Sequence, residues 1–107
     1  MSFDPSPLQP ILTLDRVVHE PARLAILTIL ASAEEVEFLF IQRVTGISKG
    51  NLSSHTQRLE GAGYLETLKS FRGRIPVTSF RITGDGRAAL LAYHRQLRAL
   101  LPEETSR

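Results

Sequence analysis

From position 48 to 58 the chain reads Ser-Lys-Gly-Asn-Leu-Ser-Ser-His-Thr-Gln-Arg, a run of mostly polar side chains with a cation at each end. Asn and Gln can make two-pronged hydrogen bonds to adenine, Arg and Lys to guanine, and Ser to most base edges or phosphates. On a helix, Leu52 and Leu59 form one apolar stripe. Lys49, Gly50, Asn51, Ser53, Ser54, Gln57 and Arg58 then form the exposed remainder, and Ser48 at its leading end joins the candidate DNA contacts. Gly50 and the serines keep the leading end slim, and the free N–H groups there favour a phosphate. A helix with only a structural surface role more often carries Glu–Lys pairs four residues apart. Here Glu60 near the end is the one acid. A second group, Lys69, Arg72 and Arg74 around Gly73, sets three cations within reach of one stretch of nucleic-acid backbone. The competing reading of that segment is a solvated loop.

Other chemistries find no constellation. The chain has no cysteine, which excludes disulfides, thiolate zinc sites and cysteine nucleophiles. His19, His55 and His94 fall on separate elements, with no HxxxH or HExxH spacing to suggest a metal site. Asp15, Glu20, Glu34, Glu35 and Glu37 read as a solvated acidic face. The GAG at 61–63 and GDG at 84–86 are helix-boundary glycines, not a phosphate-cradling loop. No catalytic residue, metal or cofactor is therefore assigned, and no enzymatic activity is expected.

Charge distribution supports a polyanion partner. Residues 1–47 carry net −3, residues 48–81 net +4 and residues 82–107 net +1. The N-terminal MSFDPSPLQP has an acid, three prolines and no Lys or Arg, unlike a secretory signal. No apolar run approaches the ~20 residues that span a bilayer. No membrane partner is expected, and cytoplasmic residence is the default expectation.

These polar groups need elements to position them. The 107 residues fit one domain, read as a flexible Pro-rich arm over 1–10 and a single domain over 11–107. A short helical stretch is expected around Leu12–Val18. Pro21 can open a helix, and Leu24, Leu27 and Leu30 or Ala31 repeat at helical spacing to Ala31. A short extended piece around Val36 precedes a helix over Phe38–Thr45, which Gly46 ends. Ile47 plugs a tight turn, and Ser48 caps a helix running from Lys49 to about Gly61. The period then becomes two, predicting strands over Tyr64–Leu68 and Val77–Thr83. Between them Pro76 suits a hairpin edge but not a central strand. Thr83 can cap a final helix from Asp85 to about Leu101, although Gly86 replaces the Glu or Gln of a full capping box. The order specifies an α+β, mainly α, winged helix-turn-helix with a two-stranded wing and a C-terminal helix.

GISKGNLSSHTQRLEGAGYLE, followed by SFRGRIPVTSFRITGDGRAAL and preceded by HEPARLAILTIL, resembles the small winged-helix transcriptional regulators related to the MarR and ArsR families. The likeness covers about residues 14–98. It implies a DNA-binding regulator of double-stranded DNA, with the helix at about 48–61 in the major groove. The wing at about 69–77 would lie on the flanking backbone or minor groove. Lys49, Asn51, Ser53, Ser54, Gln57 and Arg58 fall at recognition positions, and Arg72 and Arg74 at the wing. Thr56 stands where such regulators usually have leucine. Metal sensing, which in ArsR relatives uses cysteine ligands, does not carry over. Leu90, Tyr93 or His94, Leu97, and Leu100 or Leu101 form a stripe on the last helix that could be a homodimer seam or pack on its own domain. The likeness favours the homodimer. A winged-helix protein–protein interaction module without DNA binding is the alternative function, and it would call for an apolar or acidic recognition face. No effector is legible.

Overall fold

The computed structural model describes residues 2–6 and 8–101. Its elements are helices α1 (Leu8–Leu12), α2 (Pro21–Ala31), α3 (Phe38–Thr45), α4 (Lys49–Gly61) and α5 (Gly84–Leu100), with strands β1 (Val36–Glu37), β2 (Leu65–Arg72) and β3 (Ile75–Ile82). The strands form one antiparallel sheet in the order β1-β3-β2.

The caps explain where the helices begin. Pro21 opens α2, and the Glu20 carboxylate accepts from the Arg23 backbone N–H at 2.8 Å. The Ser48 hydroxyl accepts from Asn51 N–H at 3.2 Å, and Thr83 accepts from Gly86 N–H at 2.9 Å. Gly46 closes α3 in the left-handed conformation, at φ 73°. Ile26, Leu27 and Leu30 of α2, Ile41 of α3, and Leu52 and Leu59 of α4 are fully buried. Leu65, Phe80 and Ile82 of the sheet close over them. Burying each such side chain contributes about 1.5–3 kcal/mol, so the apolar stripe is the main hold of the helix-turn-helix on the sheet.

The N-terminal reading needs correction. The short helix is Leu8–Leu12, not Leu12–Val18, and it straddles the expected arm boundary at residue 10. Asp15 turns the chain after it, its Oδ1 accepting from Val17 N–H at 2.8 Å and Val18 N–H at 3.2 Å. A side chain that captures nearby backbone donors competes with helix. The turn drives Leu14 and Val18 into the core. The expected end of the domain, residues 102–107, lies outside the described residues.

The wing strands run further out than the alternation indicates, leaving a two-residue turn at Gly73-Arg74. Gly73 at φ 65° followed by a residue of negative φ is the pattern of a type II′ hairpin, whose twist suits paired strands. Pro76 stands in the middle strand, contrary to expectation. β1 pairs only with Ser79 and Phe80, so nothing flanks β3 on that side at Pro76. Opposite it, Phe71↔Pro76 follows the hydrogen-bonded pair Arg72↔Ile75 beside the turn. It is therefore a non-hydrogen-bonded pair, and the ladder loses no bond to the missing N–H.

Gly86 accounts for the incomplete capping box. A Cβ there would stand 2.1 Å from the Tyr64 carbonyl oxygen. The first turn of α5 crosses the entry to β2 so closely that only glycine fits.

Candidate nucleic-acid interface

α4 turns Leu52, Thr56 and Leu59 inward. Ser48, Lys49, Asn51, Ser54, Gln57 and Arg58 are exposed and Ser53 is half-buried, so the polar face predicted for base contact is free of the chain's own core. Thr56 replaces an apolar neighbour without leaving an orphan polar group. Its hydroxyl donates back to its own helix, at 2.9 Å to Leu52 O and 3.1 Å to Ser53 O.

Beside this face lies an open cleft of about 550 Å³ between α4 and the wing. Lys49, Ser53 and Gln57 border it from the helix, and Lys69 and Thr78 from the sheet. Arg72 and Glu37 border it too, but strand alternation gives the wing cations different starting directions. Lys69 shares a sheet face with Leu65, which packs in the core, and therefore points toward α4. It donates to Thr78 Oγ1 at 3.1 Å.

The two wing arginines are placed differently. Arg74 sits at the turn tip, exposed. Arg72 stands on the opposite sheet face from Lys69 and is ion-paired with Glu37. Next to that pair Glu35 accepts from the Ser79 hydroxyl, and Arg81 lies 3.8 Å from Glu35 and 3.5 Å from Glu66. The outer face of the wing thus sets two arginines against three carboxylates, while Lys69 and Arg74 have no carboxylate partner among the described residues.

A support for α4 was not legible in the sequence. Arg23 Nη1 lies 3.3 Å from His55 Nδ1. A guanidinium only donates, so Nδ1 is the acceptor in this contact, and the Glu20 carboxylate stands 3.9 Å from the same nitrogen. Arg23 also donates to Val17 O at 2.7 Å and Arg16 O at 3.3 Å, tying the loop before α2 to the middle of α4. Nothing in linear spacing joins residues 32 positions apart. His19 Nδ1 is likewise engaged, 2.8 Å from the Tyr93 hydroxyl. Among the described residues no group of three or more His, Asp or Glu side chains is placed to hold a metal.

Tyr64, at the entry to β2, donates its hydroxyl to Asp15. That bond, reinforced by burial and by the charges of Asp15 and Asp85, pushes the phenol up to about 12.

The expected dimer stripe is corrected in part. Leu90 and Tyr93 are buried in their own domain, so they cannot also line a seam with a second copy in this conformation. Leu97 and Leu100 are half-buried against the same core. Leu101, just past the helix, is exposed. Exposed apolar groups nearby are instead Leu8, Ile11 and Leu12 of α1, which packs against α5. No helix among the described residues is long and apolar enough to cross a membrane.

Known proteins match this arrangement. A family model described as a winged helix DNA-binding domain covers residues 22–101. An uncharacterised protein of Methanocaldococcus jannaschii is 34% identical over 79 residues, spanning 73% of this chain and 85% of its own. The solved structure of a transcriptional regulator homologue from Pyrococcus horikoshii OT3 is 30% identical with a TM-score of 0.80, covering 89% of this chain and 93% of that one. The transcriptional repressor BigR from Xylella fastidiosa shares the fold at 19% identity, with a TM-score of 0.61 over 92% of this chain and 94% of its own. With three quarters of its length matched by that model and its architecture shared with transcriptional regulators, the chain belongs to the winged helix DNA-binding domain family.

Proposed function

We propose that this protein is a transcriptional regulator that binds double-stranded DNA as a homodimer. α4 enters the major groove, and the wing rests on the flanking backbone or minor groove. The observation that carries the reading is the exposed polar face of α4 beside a cleft bordered by Lys49 and Lys69. A side chain that reads bases must be exposed and held on a rigid element, and α4 is anchored by Leu52, Leu59 and the Arg23–His55 contact. Lys69 joins Arg72 and Arg74 as a wing cation, and its inward direction suits a phosphate in the cleft.

Pairing of two copies is supported by an exposed apolar surface. The exposed Leu8, Ile11, Leu12 and Leu101 offer an apolar surface at the α1–α5 end. A two-fold dimer would present two α4 helices to half-sites about one helical turn apart.

The test is fluorescence anisotropy with random duplex over a salt series, followed by selection of bound sequences from a random pool. Salt-sensitive binding and recovery of a pseudo-palindrome are expected. Absence of duplex binding at low salt would reject the reading in favour of a protein-interaction module, for which the exposed Leu39, Phe40 and Val44 of α3 would be the surface. Sedimentation giving only monomer at tens of micromolar would reject the dimer.

A further inference from the structure

We infer that Glu37 is an affinity-setting residue that competes with DNA phosphate for Arg72. The inference rests on the DNA-binding reading above and adds a residue that contacts no DNA.

Glu37 stands at the N-cap of α3, where a polar side chain ordinarily accepts from the helix's free N–H groups. It makes no such bond. Its carboxylate is turned instead to the Arg72 guanidinium, 35 positions along the chain. Strand register puts the two together. Glu37 pairs with Ser79, Ser79 pairs with Leu68, and Leu68 lies on the same sheet face as Arg72. A side chain that gives up its local helix partners for a wing arginine restrains that arginine's charge.

Carboxylate and phosphate want the same fork of N–H donors. Arg72 must therefore leave Glu37 before it can contact the backbone, whereas Arg74 has no such exchange to make. Both partners are substantially exposed, at 68% and 39% of their side chains. The exchange is therefore readily reversed and lowers affinity without abolishing it. Arg72 has a wing position but contributes less to binding than Arg74 while Glu37 is present.

Glu37→Gln is expected to tighten binding to any duplex by roughly 1.5- to 5-fold, the range set by an exposed ion pair. It is expected to steepen the salt slope by up to about 0.9, one phosphate contact no longer offset by an internal one. In an Arg72→Gln background the same change is expected to do little. Glu34→Gln, a carboxylate with no role in the pair, serves as the charge-matched control. Since Glu37 makes no cap bond, urea unfolding of Glu37→Gln and Arg72→Gln should show a loss no larger than the exposed ion pair itself, the same small free energy that the affinity gain reads. The inference is overturned if Glu37→Gln leaves affinity unchanged, or if its gain persists undiminished without Arg72, which would mark a general charge effect. Wild-type protein that ignores duplex DNA altogether would instead refute the DNA-binding reading itself, so the two failures are distinguishable.

Discussion

Gly86→Ala is expected to destabilise the fold by about 2–4 kcal/mol, despite replacing glycine with the best helix former. A Cβ essentially never approaches another heavy atom closer than 3.0 Å, yet the new methyl would stand 2.1 Å from Tyr64 O and 3.0 Å from Ile82 Cγ1. Backbone lies on both sides of the clash, so α5 and the start of β2 must separate by roughly 1 Å. That movement threatens the Thr83 N–H to Tyr64 O bond of 3.1 Å and the Thr83 cap on Gly86 N–H of 2.9 Å. Each is worth about 1 kcal/mol, and overpacking adds about 1–3 kcal/mol. The gain in helix propensity returns about 0.8–1 kcal/mol. Urea denaturation at fixed protein concentration measures the sum. Gly50→Ala is the control, because a Cβ there meets nothing within 4 Å. It should be neutral or slightly stabilising in urea, yet weaken DNA binding by crowding the groove. A Gly86→Ala midpoint within experimental error of wild type would refute the close-crossing argument.

Changing Asn51 or Gln57 to Ala should flatten base preference at one position each, by about 1–3 kcal/mol of discrimination, read as relaxed sequence logos in pool selection. Arg74→Gln should weaken binding to all sequences alike and lower the salt slope by about 0.9; an unchanged slope would show that the turn tip never reaches phosphate. Tyr64→Phe should cost about 1 kcal/mol at neutral pH through the lost bond to Asp15. The folded phenol titrates near 12, above its ordinary value of 10. Its stabilisation is therefore complete below pH 10 and lost as pH rises toward 12. The wild-type advantage over Tyr64→Phe should shrink across that window, and a gap constant to pH 12 would contradict the assignment.

Several features of this protein were readable from the chain because their causes are local. Pro21, Gly46, Ser48 and Thr83 mark element ends through backbone preferences and side-chain caps acting within one turn. The switch from helical to alternating spacing after Gly63 identifies the wing, and the spacing of Leu52 and Leu59 separates the buried from the polar side of α4. Element order, the helix-turn-helix and the exposed polar residues of that helix follow from these. Tertiary structure decided matters of register and approach between segments far apart in sequence. Burial of Leu90 and Tyr93 depends on which side of α5 meets α2, and an amphipathic stripe looks the same whether its partner is its own core or another copy. Lys69 faces α4 while Arg72 meets Glu37 because the hairpin pairing sets side-chain parity. Arg23 meets His55, and Asp15 meets Tyr64, only once the helices have packed. Spacing along the chain records the faces of an element. Which charges end up facing one another is settled when those faces are brought together.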